Sequence, residues 1–347
     1  MREIWNDIRS WEGQGRPFAL ARVIETWGSS PRPVGAAMIV GRQMEVAGSV
    51  SGGCIEGDVI TESRQVLEDG RPRRLHYGVS DETAWSVGLT CGGQVSVFVE
   101  QHPGQAGGGS AGVWEALRAR LEANRPAVLL TRLDSPERPH LLVDPEAGEV
   151  AAGDWGAASA SALEAAASAF SERQSAVVEI GSEAVFVQAF PRQDRLLVVG
   201  ASHICIPLVR LAKVLDLETV VIDPREVFAR PERFPEAPSR LEHTWPGRFL
   251  EAWSVDESTF AVLLTHDPKI DDEALHHLLR SPAAYIGALG SRRSHAKRVE
   301  RLREAGFDEG EIGRIRGPVG LDIGAESPEE IALSILAEVV AVRRGAP

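Results

Sequence analysis

Arg195-Leu196-Leu197-Val198-Val199-Gly200-Ala201-Ser202-His203 is the stretch that decides how this chain folds. An unbroken apolar run closed by glycine reads as a strand buried on both faces. A small polar turn follows and opens into a helical pattern that runs through Leu215. Thr219-Val220-Val221-Ile222-Asp223 is a second such strand, with an acid at its carboxy-terminal end. Residues 261–265 and 284–288 repeat the pattern, with helical stretches over 271–279 and 294–305. Strands alternating with helices at this spacing predict a doubly wound parallel sheet. Ser327-Pro328-Glu329-Glu330 opens the last helix with a capping box and a proline at the first helical position.

In a Rossmann-like unit the first strand-to-helix turn cradles a pyrophosphate on backbone amides. Here that turn reads Gly200-x-Ser202-x-x-Cys205, with His203 inside it and two of the three glycine positions altered. Asp223 lies 23 residues beyond Gly200, near the spacing expected of an acid on a ribose hydroxyl. Two readings stand: an NAD(P) site, or a Rossmann-like domain that holds no dinucleotide tightly. Ligands of open α/β sheets sit at the carboxyl ends of the strands. Polar residues gather there: Arg225 after the second strand, His266 and Asp267 after the third, Gly290, Ser291, Arg292 and Arg293 after the fourth. Asp322 lies in the glycine-flanked loop before the last helix. A Gly-Ser-Arg-Arg turn suits phosphate capture, or is simply a solvated helix start.

The amino-terminal half carries a different device, Gly48-Ser49-Val50-Ser51-Gly52-Gly53-Cys54-Ile55-Glu56-Gly57-Asp58-Val59. A cysteine stands between a Gly/Ser loop and a helical run over 55–67. Glycines let amides turn toward a common point, and a helix N-terminus adds positive partial charge there. The segment reads as an oxyanion or phosphate cradle with a sulfur ligand or nucleophile at its lip, its thiol drawn toward thiolate. The alternative is a tight turn before a buried structural cysteine. Gly88-Leu89-Thr90-Cys91-Gly92-Gly93-Gln94 sets a second cysteine against a glycine pair. Free cysteines are usually core fillers, so two in glycine-rich turns argue for chemistry. Zinc fits poorly, because no CxxC pair or nearby histidine pair completes a ligand set.

The predicted architecture is α/β: a carboxy-terminal Rossmann-like doubly wound parallel sheet over 193–347, behind an amino-terminal α+β domain over 1–192. A Gly-rich stretch at 103–112 reads as flexible. With 347 residues and a formal charge of −13, the chain argues against a nucleic-acid surface or an anionic membrane partner. No apolar run approaches the ~18 residues of a membrane span. Three cysteines make no disulfide framework, so a reduced cytoplasmic protein is expected. Trp5, Trp11 and Trp27 could supply an apolar interface for a homodimer, or serve as core.

Taken jointly, both cysteine loops, Leu264-Thr265-His266-Asp267-Pro268-Lys269, Tyr285-Ile286-Gly287-Ala288-Leu289-Gly290-Ser291-Arg292-Arg293 and Gly320-Leu321-Asp322-Ile323-Gly324-Ala325 resemble the XdhC/CoxI family over nearly the whole chain. Its members are accessory proteins of molybdenum hydroxylases such as xanthine dehydrogenase and aerobic carbon monoxide dehydrogenase. The resemblance implies an XdhC/CoxI-type amino-terminal domain and a Rossmann-like XdhC carboxy-terminal domain. It also implies binding of the molybdenum cofactor (molybdopterin or its dinucleotide form), support for its sulfuration, and delivery to an apo-molybdenum hydroxylase. A cysteine desulfurase is the other partner implied. Such a protein is a cofactor chaperone rather than a turnover enzyme. Cys54 and Cys91 become the sulfur-handling or molybdenum-ligating pair. Gly48, Ser49, Ser51, Gly52, Gly53, Glu56, Asp58, Gly92 and Gly93 become cofactor contacts, along with Gly200, Ser202, His203, Asp223, Arg225 and the later strand-end residues. Many relatives carry Gly-Ala-Gly-His where this chain has Gly200-Ala201-Ser202-His203, a departure that weakens a dinucleotide role. The alternatives are an NAD(P)-linked oxidoreductase and a structural assembly factor that holds no cofactor.

Overall fold

Alternation along the first long strand sets the layering of the amino-terminal half. The computed structural model describes residues 1–78, 93–106, 109–135 and 139–346, and the chain divides into two units, Met1–Arg192 and Gln193–Pro347. In the first, α1 (Trp5–Gly13) precedes β1 (Phe18–Trp27), β2 (Ala37–Gly41) and β3 (Val46–Gly48). After α2 (Glu56–Asp69) come β4 (Arg73–Tyr77) and β5 (Gln94–Gln101), closing an antiparallel sheet ordered β3-β2-β1-β5-β4. Next come α3 (Ser110–Glu122), β6 (Ala127–Arg132), β7 (His140–Asp144), β8 (Glu149–Ala152), α4 (Ser159–Ser171), β9 (Ala176–Ile180) and β10 (Glu183–Phe190). These strands form a second antiparallel sheet, β8-β7-β6-β10-β9. Because α3 begins at Ser110, the Gly-rich stretch is shorter than its composition suggests.

On β1, Phe18 and Leu20 face a core shared with Leu129 of β6 and Phe190 of β10. The intervening Ala19, Ala21 and Val23 pack against Val59 and Val66 of α2. The second sheet mirrors this, with Val128 and Leu130 meeting Ala162 and Ala166 of α4. The unit is therefore two sheets face to face between outer helices, which is why β1 reads as nearly continuous burial. Trp11 is core and Trp5 packs beside it, while Trp27 is 78% exposed.

Between the sheets sits a charge. Arg22 of β1 is fully buried. It bonds Glu100 of β5 at 2.6 Å, Thr131 of β6 at 3.1 Å and Gln188 of β10 at 3.3 Å. Its guanidinium lies over the Phe186 ring at 5.5 Å. The other Glu100 oxygen meets His140 of β7 at 3.0 Å. Burial alone would push the Glu100 carboxyl up, but His140 and Arg22 beside it more than offset that and hold it low.

The second unit is the doubly wound sheet. Its strands are β11 (Arg195–Val199), β12 (Glu218–Ile222), β13 (Arg240–Glu242), β14 (Thr259–Leu263), β15 (Tyr285–Ala288) and β16 (Ile315–Arg316). All pair in parallel, in the order β13-β12-β11-β14-β15-β16. The helices are α5 (Cys205–Val214), α6 (Pro246–Ala252), α7 (Pro268–Leu278), α8 (Arg292–Glu304), α9 (Glu309–Ile312) and α10 (Pro328–Arg343). Leu196 and Val198 face the core shared with α5 and α10. Leu197 and Val199 face the core shared with α6, α7 and α8. Strand order reverses between β11 and β14, so the crevice of an open α/β sheet opens there. Ser327 and Glu330 cap α10 reciprocally with Pro328 at its first turn, as the sequence predicts.

Glu100→Ala would leave Arg22 charged, buried and without its carboxylate. Urea denaturation of the variant should show a loss of about 3–5 kcal/mol, the usual cost of breaking a buried pair from one side.

Candidate functional site

The Gly/Ser loop before α2 folds around a carboxylate. Glu56, the first residue of α2, reaches back and accepts from Ser49 Oγ at 2.7 Å, Val50 N at 3.3 Å and Ser51 N at 2.9 Å. It also accepts from Ser51 Oγ at 2.5 Å, Gly52 N at 3.0 Å and Gly53 N at 2.8 Å. Gly52 and Gly53 reach these positions with φ of 80° and 119°, open to glycine and strained for other residues. The cradle expected from sequence exists, but the anion in it is the protein's own. The amides of residues 50–53 thus face a carboxylate of the chain itself. Ser51 Oγ in turn accepts from the amides of Cys54 and Ile55, both at 3.1 Å. Burial tends to raise the Glu56 carboxyl, but the Ser51 and Ser49 hydroxyls and the loop amides override it, bringing it down to about 2.

Cys54 itself is half-buried, packed at the margin of the α2 core. Asp58, in the first turn of α2, accepts from Tyr77 Oη at 2.6 Å. Burial and then this carboxylate push the Tyr77 phenol upward. Cys91 and Gly92 lie outside the described residues. Gly93 is described, and a Cβ there would strike the backbone carbonyls of Ser29 and Trp27. A Cβ on Gly52 would come within 3.8 Å of Pro31. The turn after β1 thus lies against the glycines of both cysteine loops, a role the sequence reading did not give it. Trp27, Val34, Gln94, Ser96, Ser175 and Val177 line a groove of about 370 Å³ nearby, which was likewise not anticipated.

In the second unit the strand-end residues fall along one edge of one sheet. The order across it runs from Asp223 and Arg225, through Gly200–Ser202 and Thr265–Asp267, to Gly290–Arg293. Gly200 has φ 104°, and a Cβ there would collide with the Thr265 side chain. Asp223 is fully buried and accepts from Ala201 N at 2.8 Å, Arg225 N and Nε at 2.9 Å each, and Arg225 Nη2 at 2.7 Å. Arg233 Nη1 donates to the Ala201 carbonyl at 2.6 Å, and both arginines lie over Phe228. The acid that sequence spacing offered to a ribose hydroxyl is already satisfied inside the protein.

The remaining candidates divide by role. Ser202 Oγ is buried and has no partner among the described residues, whereas His203 is exposed. Cys205 is fully buried in the α5 core, and burial pushes its thiol far up. Asp267 and Ser291 cap α7 and α8 through Lys269 N at 3.0 Å and Ser294 N at 3.1 Å. His266, Arg292, Arg293 and Asp322 are exposed. Among the described residues no cluster of three or more His, Cys, Asp or Glu side chains is arranged to hold a metal. No helix among them is long and apolar enough to cross a membrane.

A sequence profile described as the XdhC Rossmann domain matches residues 196–339, and one described as the XdhC and CoxI family matches residues 11–78. Uncharacterized protein YqeB of Escherichia coli (strain K12) is 28% identical over 99% of this chain and 47% of its own length. The chain thus spans about half of that relative. A probable xanthine dehydrogenase subunit of Bacillus subtilis (strain 168) is 27% identical, with 94% of this chain and 93% of that protein covered. Molybdenum cofactor insertion chaperone PaoD of Escherichia coli (strain K12) is 26% identical over 95% of this chain and 84% of its own. The crystal structure of a xanthine dehydrogenase from Bacillus halodurans matches with a TM-score of 0.78 at 26% identity, covering 99% of this chain and 96% of that one.

Two outcomes follow from the internal carboxylates. Asp223→Asn removes the charge that Arg225 and the Ala201 amide share, and should cost about 1.5–3 kcal/mol in chemical denaturation. Glu56 has a folded pKa of about 2 against an ordinary 4.5. Its contribution is therefore complete above the ordinary value and lost as pH falls from there toward 2. Acid titration of Glu56→Gln followed by circular dichroism should show a shallower loss across that window than the parent protein.

Proposed function

The chain belongs to the XdhC/CoxI family, and from that premise we propose that it is a cofactor chaperone for a molybdenum hydroxylase of the xanthine dehydrogenase or carbon monoxide dehydrogenase type. It binds the molybdenum cofactor, supports its sulfuration and hands it to the apo-enzyme in the cytoplasm, with a cysteine desulfurase as the second partner. The likeness to the molybdenum cofactor insertion chaperone PaoD supports this reading.

The observation that carries it is Cys54, a half-buried thiol on a loop whose polar groups are already satisfied internally. The cargo supplies a thiophilic metal, and Cys54 is the sulfur donor for that end. Its phosphate does not suit the loop, because Glu56 occupies the amides. Arg292 and Arg293 suit it better, exposed at the start of α8 with no bonding partner among the described residues. Asp223 speaks against the NAD(P) oxidoreductase reading, since its acceptor capacity is spent on Ala201 and Arg225.

Mass spectrometry of small molecules retained by the anaerobically purified protein after gel filtration tests the proposal. Molybdopterin or its dinucleotide should be present, and Cys54→Ser should lose it while staying folded. Arg292→Ala should weaken cofactor binding by about 1.5–3 kcal/mol. Tight NAD(H) binding with no molybdenum cofactor would favour the oxidoreductase, and a protein that never carries cofactor would favour a purely structural assembly factor.

A further inference from the structure

The loop around Cys54 is electrostatically finished before any cargo arrives. Amides converging at the start of a helix create a positive focus that attracts anions. Here that focus is filled: the Glu56 carboxylate takes the amides of Val50, Ser51, Gly52 and Gly53 and both serine hydroxyls. Asp58 places a second carboxylate in the same first turn of α2. The Cys54 backbone is tied to this arrangement through Ser51, whose hydroxyl donates to Glu56 and accepts from the Cys54 and Ile55 amides.

We propose that Glu56 is a positioning residue: it fills the loop's anion site with its own carboxylate and thereby presents Cys54 to a soft, electropositive centre while turning phosphate away. The proposal deepens the chaperone reading and rests on it for the identity of the cargo. It assigns the cargo's polarity at this loop, metal end toward Cys54 and phosphate end elsewhere. A phosphate entering the nest would have to displace a carboxylate held by six donors. A thiophilic cation meets a sulfur donor on a loop closed by a carboxylate. A carboxylate whose charge was wholly cancelled by its six donors would leave the charge preference of Cys54 unchanged.

Alkylation of Cys54 in the full-length, cargo-free protein separates the two roles, read by mass spectrometry of the Cys54 peptide. Neutral iodoacetamide and anionic iodoacetate report access and charge preference respectively. Glu56→Gln should raise the iodoacetate rate relative to iodoacetamide by roughly threefold to tenfold, the scale of one nearby charge at partial exposure. Glu56→Asp, which keeps the charge, should recover most of the discrimination. Ser51→Ala should speed both reagents and leave their ratio unchanged, because it frees the Cys54 amide without touching the charge. In the unmodified protein, cadmium should protect Cys54 and inorganic phosphate should not. An unchanged ratio in Glu56→Gln, protection by phosphate, or none by cadmium overturns the proposal. Should Glu56→Gln not fold, the phosphate and cadmium arms decide alone. Absence of cofactor from the purified protein, with these labelling results intact, would remove the chaperone reading and leave the role of Glu56 standing.

Discussion

Carboxylates answered by donors from the chain itself are the constraint on which the rest of the structure depends. Glu100 makes it possible to bury Arg22 between two sheets. Asp223 ties the turn after β11 to the start of the β12–β13 connection. Glu56 closes the cysteine loop onto α2. In each case a buried or half-buried anion would be costly if its donors were removed. Glu56 and Asp223 thereby hold the chain where loops leave the sheets, while Glu100 and Arg22 join the two facing sheets of the first unit.

The carboxy-terminal sheet is legible in sequence because parallel strands buried on both faces must be continuous apolar runs, as at Leu196–Val199. Its edges are not. β13 and β16 span three and two residues, too short for any periodicity, and exist only because β12 and β15 offer them an edge to pair with. β3 escapes notice for the same reason, pairing with β2 over three positions.

The candidate site was half legible. Composition alone marks the glycine-cysteine loop, since glycines with positive φ are needed to turn successive amides inward. What fills the loop is a matter of reach, and the only local cue is an acid three residues beyond Gly53, the spacing of a side chain folding back on a helix start. Asp223 shows what spacing leaves out. Its distance from Gly200 fits a ribose acid, but Arg225 two residues on fixes it in a bidentate pair, and spacing cannot report whether an acceptor is already spent. The hydrogen bonds show which polar atoms of the two candidate regions are already taken within the chain.

Trp27 gives the molecule an optical handle. Its indole stands 78% in water at the end of β1, the most exposed tryptophan among the described residues, while its backbone carbonyl abuts Gly93 and the turn behind it touches Gly52. A molecule that covers this ring will draw it out of water and shift its emission to the blue. The protein therefore carries a native fluorophore on the turn that lies against Gly52 and Gly93, and coverage of that face can be followed without attaching a label.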